Sequence, residues 1–448
     1  MKRSILTGTL LGLMVSYAAA NEPYPARLSG HAFIPAETYI KAPNDAPEDL
    51  NVSGKFTTDV RNHGIGSIVG TLNGRETGVP LPFAGQPIQG HSGIKKMSDD
   101  TYWVLTDNGA GSKANSPDFM LYLNQYEIDF EGNEFKRLKT IFLHDPDKNV
   151  PFSSMNEGTE SRYLTGSDFD PESFQFAGGF LWIGDEFGPY LIKADLDGKV
   201  LKVFETVVEG EVVKSPDHPS LTTPGAPGGT LDFTVRRSKG FEGMAASPDG
   251  KRLYPLLEGA LFDPETGEYE AHNSQEYLRI LEFDVENERW TGNFWRYPLE
   301  QKGLSIGDFN MIDEQYGLII ERDNGEGVVE YRCEGDDESR CFSAKNLPKL
   351  KRVYKIKMTA ENQNGAVDKI GYIDLMKIED PLGVTRKDLS DGAFVFPFFT
   401  IENVDIVDEE TIIVGNDNNL PFSSSREPNR ADDNEFILLN VKELLNAQ

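Results

Sequence analysis

Residues 162–190 read RYLTGSDFDPESFQFAGGFLWIGDEFGPY. Two apolar runs in this stretch are split by the turn Ala177-Gly178-Gly179, so the segment reads as a β-hairpin. Asp168, Asp170 and Glu172 precede the first strand, and Asp185 and Glu186 follow the second. A hairpin returns the chain to the end it left. The acids therefore share one end of the hairpin and the turn occupies the other.

The same pattern recurs along the chain. The copies are HSGIKKMSDDTYWVLTDNG from His91, ESFQFAGGFLWIGDEFG from Glu172, EGMAASPDGKRLYPLLEG from Glu242, DFNMIDEQYGLIIERDNG from Asp308 and ENVDIVDEETIIVGNDNN from Glu402. Further strand-like runs follow each copy, such as YLIKADL with KVLKVFE and RVYKIKM with KIGYIDL. Repeated four-strand units with little helical periodicity predict an all-β fold, a β-propeller of four-stranded antiparallel blades. The last copy has only NEFILLNV before the chain ends, so both chain ends are expected to complete one blade and leave no open edge. GIGSIVGTL and other spare runs in the first ninety residues supply material for a sixth blade. Six blades are expected, with five as the alternative. The predicted division is a leader over 1–20, an extension over 21–59 that completes the last blade, and a propeller domain over 60–448.

In a propeller the innermost strand starts at one mouth of the central channel. The strand starts and ends would then ring that mouth with Asp107, Asp168, Asp170, Glu172, Asp185, Glu242, Glu258, Asp308, Glu321, Asp323, Glu402 and Asp417. Clustered carboxylates repel one another unless something neutralises them. Sets of Asp and Glu oxygens suit a hard cation, and Ca²⁺ accepts irregular ones, so calcium is the expected cofactor. The bland alternative is that polar residues merely end strands and cap turns. Arg162 and Arg322 lie beside these acids, either to grip an anionic substrate or to hold the acids in salt bridges. Other chemistries find less support. No G-x-S-x-G elbow is present, and DPDKN at 145–149 lacks the Gly and Glu that complete a calcium loop.

The chain carries 44 basic and 73 acidic residues for a net charge of −29, a balance that repels nucleic acid and anionic membrane. Lys2 and Arg3, the apolar ILTGTLLGLMV and the small residues ending at Ala20 form a secretory leader, so the mature protein is expected to start near Asn21. The apolar run is too short to span a membrane. A periplasmic or secreted location follows, and there Cys333 and Cys341 are expected to form a local disulfide. A monomer is expected.

RYLTGSDFDPESF, FLWIGDEFGPYL, GFEGMAASPDGKRLYPLLEG and HSGI…WVLTDNG resemble the phytase-like family, also described as the esterase-like activity of phytase family. The resemblance spans roughly residues 60–440. It implies a propeller and a hydrolase of phosphate or other esters, with calcium as its expected metal. The acidic signature of the well-described propeller phytases, D-A-A-D-D-P-A-x-W, and their N-x-x-D-x-R segment do not occur, which sets phytate apart from phosphoric esters in general. The expected activity is calcium-dependent hydrolysis of a small ester, phosphoric esters first. Glu172, Asp185, Glu186 or Glu242 would take a proton, and Arg322 or Arg162 would stabilise developing charge. The alternative is a non-catalytic propeller that uses calcium to hold its shape and binds a ligand or partner.

Overall fold

The computed structural model describes residues 22–448 apart from 59, 73 and 273. The leader read over 1–20, and the start at Asn21, lie outside the described residues.

The five hairpins are all present, and each forms the inner half of a four-stranded antiparallel sheet. The first sheet runs His91–Lys96, Tyr102–Thr106, Tyr122–Asp129 and Glu134–Phe142 from the axis outward. The second is Pro171–Ala177, Phe180–Asp185, Tyr190–Ala194 and Val200–Glu205, its inner hairpin closed by Gly178 at φ 60 and Gly179 at φ 82. Two consecutive positive φ values make the turn that glycine favours and that matches strand twist. The third is Phe241–Ala246, Arg252–Leu257, Gln275–Asp284 and Arg289–Pro298. The fourth is Ser305–Met311, Tyr316–Arg322, Lys351–Lys357 and Asp368–Asp374, with Pro23–Tyr24 added in parallel at its rim. The fifth is Thr400–Ile406, Thr411–Asp417, Asn434–Asn440 and, outermost, Arg27–Ile34. Arg27 opposite Asn440 and Ile34 opposite Asn434 thus tie the N-terminal side of the chain to its C-terminal strand.

Side-chain packing closes the ring. Leu105 and Trp103 of the first sheet pack with Phe174 and Ile183 of the second. Trp182 meets Met244 and Phe283 across the next interface, and Leu256 and Ile280 meet Ile306 and Ile319 across the third. Ile320 and Val353 pack on Ile401 and Val404, and Ile413 and Phe436 return to Ile94 and Val104. Each of five sheet-to-sheet interfaces has its own apolar cluster, so the stabilising burial is distributed around the ring.

The propeller therefore has five blades, the alternative, and the described residues build no sixth. The N-terminal residues give one strand to the fifth blade. The remainder pairs only in short ribbons, Tyr39–Ile40 with Gln86–Pro87, Val52–Ser53 with Phe83–Ala84, and Ile68–Leu72 with Arg75–Leu81. The alternation in GIGSIVGTL is real strand patterning, but it serves a two-stranded ribbon. That ribbon packs Val79 and Leu81 on Phe119 and Leu420 and points Arg75 at Glu326, 2.5 Å away.

The two ends of the propeller differ. Turns at one end are short, as at 178–179, 247–251 and 407–410. Connections at the other end are long, including 143–170, 206–240, 323–350, 375–399 and 418–433. Binding and catalytic residues favour such loop-built ends of a rigid scaffold. Cys333 and Cys341 are bonded, S–S 2.03 Å, within one of these long connections. Among the described residues no helix is long and apolar enough to cross a membrane.

Candidate active site at the propeller mouth

Every innermost strand is interrupted by a β-bulge near its start. The pairing slips between Pro171 and Ser173, between Phe241 and Gly243, between Ile401 and Asn403, between Ile306 and Phe309, and opposite Val104 and Thr106. A bulge inserts one residue and re-aims its side chain. The inserted positions are Glu172, Glu242 and Glu402 in three blades, with Ser92 and Gly307 at the matching positions of the other two. On the second strands, the residues next after the partners of His91, Pro171, Phe241, Ile306 and Ile401, the pairs that flank the bulges, are Asp107, Glu186, Glu258, Arg322 and Asp417. The mouth thus carries two stacked sets of five equivalent positions. Four of the second set are acids and one, in the fourth blade, is an arginine.

The ring is tightly enclosed. Asp170, Glu186, Glu242, Glu258, Glu402 and Asp417 are each 6 % exposed or less, and Glu172 is 9 %. Close backbone approach makes this density feasible. A Cβ at Gly240 would lie 2.5 Å from Glu186 Cα, and one at Gly307 would lie 2.2 Å from the Ile401 carbonyl oxygen. Glycine is required at both points.

Charge is unevenly compensated. Arg322 donates to Glu402 over 2.9 Å and to Asn324 over 3.0 Å, and Ser92 donates to the other Glu402 oxygen over 3.1 Å. Lys239 pairs with Glu258. Asp107 accepts from Gly109 N and Gln89 Nε2, and Asp417 accepts from Asn419 N and Thr400 Oγ1. Asp170, Glu172, Glu186 and Glu242 have no such cation. Burial, first, and then neighbouring carboxylates push all four well above the usual carboxylate range. For Glu172 those neighbours are Asp170, Glu242, Glu402 and Glu186. Protons or bound cations must relieve this repulsion.

The remaining site residues expected from the sequence lie elsewhere. Asp185 sits opposite Pro171, one residue before the ring position, and period-two alternation turns it away. Its oxygens accept Asp170 N at 2.8 Å and Gly188 N at 2.7 Å, so it braces the turn that presents Glu186. Glu321 is displaced in the same way from Arg322. It is bound to Tyr297 OH and Lys369 Nζ, each at 2.7 Å, and to Glu300 N. Asp308, one residue beyond the ring position Gly307, accepts from Phe309 N and Val404 N and stitches inner strands together. Asp168 accepts from Met155 N and Thr165 N, and Asp323 from Lys349 N and Gly325 N. Arg162 is held by the Asp145 carbonyl at 2.8 Å and carboxylate at 3.0 Å, inside the 143–170 connection. Each of these six is engaged by its own local hydrogen bonds and lies outside the two carboxylate triplets of the mouth. Lys239 escaped the sequence reading. Its one signal is its position, two residues before the strand that starts at Phe241.

The donor set fits a divalent cation. Oxygens of Asp170, Glu172 and Glu186 lie within 4.8 Å of one another, as do those of Glu186, Glu242 and Glu258. Asp170 Oδ1 and the Oε1 atoms of Glu186, Glu242 and Glu258 are buried without a hydrogen-bond partner among the described residues. Orphaned buried acceptors are costly unless something binds them.

The phytase-like family described by the esterase-like activity of phytase matches residues 86–420. An uncharacterized secreted protein of Arthroderma benhamiae is 31% identical over 115 residues, which is 24% of this chain and 22% of that protein. A periplasmic gluconolactonase of Pseudomonas aeruginosa aligns over 84% of this chain and 98% of its own at 11% identity and TM-score 0.30. A virginiamycin B lyase of Staphylococcus aureus aligns over 79% and 95% at 9% identity and TM-score 0.27. No residue role is carried over from either at such scores. The match over residues 86–420 spans nearly all of the propeller, and the chain belongs to the phytase-like family.

Proposed function

We propose that the protein is a secreted hydrolase of small esters, phosphoric esters first, that works with calcium at the acidic mouth. The observation that carries this reading is the double ring itself, in which uncompensated acids gather on the second and third blades and Arg322 stands on the fourth. Secretion is supported by the leader pattern and by the Cys333–Cys341 bond.

Asp170, Glu172, Glu186, Glu242 and Glu258 would hold the cation. When bound, such an ion polarises a substrate oxygen and eases ionisation of water. The residues of the chain supply the rest. Arg322 has a buried Nε without a partner and offers it to a charged substrate oxygen. Glu172 and Glu242, at the inserted positions of the second and third blades, lie where a carboxylate can take the proton of an attacking water. Water adds at phosphorus as its proton passes to one of these carboxylates, the bond to the leaving oxygen breaks, and that oxygen takes up the proton to leave as the alcohol.

The same burial favours a second reading, a cation that only stabilises a non-catalytic propeller. Turnover separates the two. Purified protein with calcium is assayed against phosphomonoesters, phosphodiesters, carboxylic esters and lactones, then again with chelator. Chelator-sensitive turnover of a phosphoric ester is expected. No turnover of any class, with calcium bound and the fold intact, leaves the stabilising reading.

A further inference from the structure

We propose that the mouth holds two divalent cations side by side, bridged by Glu186. This rests on the cation-dependent reading above and adds its stoichiometry and ligand assignment. One cation is assigned to Asp170, Glu172 and Glu186, the other to Glu186, Glu242 and Glu258.

Geometry gives the first argument. Two oxygens on opposite sides of a calcium ion are about 4.6–5.2 Å apart, from bond lengths of 2.3–2.6 Å. The oxygens within each triplet lie within 4.8 Å, the span of one such sphere. The five carboxylates fall into two triplets with one shared member and do not form a single set. Each triplet also contains orphaned buried oxygens, Asp170 Oδ1 and Glu186 Oε1 in one, Glu186, Glu242 and Glu258 Oε1 in the other.

Charge gives the second. Arg322 and Glu402 neutralise each other, and Asp107 and Asp417, which N–H and O–H donors hold, lie outside both triplets. The five triplet carboxylates are left facing Lys239. Two divalent cations and one ammonium balance five carboxylates. A single cation leaves two of the five for protons to neutralise, whereas two cations with Lys239 neutralise all five as carboxylates. Three carboxylates per ion, with one shared, leave coordination positions for water and a substrate oxygen.

The test is calcium stoichiometry, measured on the full chain by equilibrium dialysis and elemental analysis, with near-ultraviolet circular dichroism to verify folding. Wild type should bind two calcium ions. Asp170→Asn and Glu258→Gln should each retain one. Glu186→Gln should lose both at a calcium concentration that saturates wild type. Asp249→Asn, in the turn at the opposite end, should keep two. One ion in wild type, or two retained by Glu186→Gln, overturns the bridged pair while leaving a cation-dependent hydrolase standing. No bound calcium in folded wild type removes both. If Glu186→Gln does not fold, the two single-triplet variants decide: either one binding two ions, or both binding none, contradicts the assignment.

Discussion

Removing the one cation built into the ring should expose how strongly its acids repel. Arg322 and Glu402 are 6 % and 7 % exposed at the side chain and 2.9 Å apart. Arg322→Met keeps the apolar stem and leaves Glu402 buried without its partner. Breaking a buried pair from one side costs about 3–5 kcal/mol. In the variant Glu402 is buried without its cation, so its ionised form opposes folding and stability is lost as rising pH ionises it. At about 1.4 kcal/mol per pH unit, up to about 3 kcal/mol of the deficit should appear between pH 5 and 7.5. Urea denaturation in chelator at both pH values measures it. The double variant Arg322→Met/Glu402→Gln has no orphaned charge and should recover most of the loss at pH 7.5. A single-variant deficit under about 1 kcal/mol at both pH values, or a double variant no more stable than the single, refutes the picture of a dry, charge-crowded ring.

Three further outcomes are expected. Calcium should raise the melting temperature more at pH 8 than at pH 5, because Asp170, Glu172, Glu186 and Glu242 are raised in the cation-free fold and protons compete for the same oxygens; a calcium effect that shrinks as pH rises contradicts this. Glu172→Gln should lower turnover about 100-fold or more with folding kept, whereas Asp185→Asn, which disturbs two backbone hydrogen bonds, should cost about 1–3 kcal/mol of stability. Reduction of Cys333–Cys341, which closes a loop with sequence separation 8, should cost at most about 2–3 kcal/mol, and protein recovered from the periplasm should show no alkylatable thiol by intact mass.

The blades were legible because each inner hairpin repeats the same apolar strands, tight turn and acidic ends, and those signals are local. Which acids reach the channel was not. Asp185 and Glu186 are adjacent, as are Glu321 and Arg322, and within each pair the two side chains differ by one step of a period-two strand. The step is set by bulges at Glu172, Glu242 and Glu402 and at their counterparts, and a bulge depends on pairing that one strand does not reveal. Gly307 illustrates the same limit. Sequence registers Asp308 beside it as the chemical residue, but the ring position is the glycine, kept small by the neighbouring Ile401 carbonyl. Blade number was ambiguous for a different reason. Arg27–Ile34 and Ile68–Leu72 both alternate like blade strands, and only long-range pairing sends one to the fifth blade and the other to a ribbon.

The central claim is that bulged inner strands bring Asp170, Glu172, Glu186, Glu242 and Glu258 together to hold divalent cations where hydrolysis occurs. Anomalous diffraction from crystals soaked in manganese, a calcium surrogate with a measurable signal, locates the ions directly. Density among these five carboxylates, touching Glu186, is the predicted result. Density only elsewhere on the acidic surface, or none in crystals whose mouth remains ordered, contradicts the account.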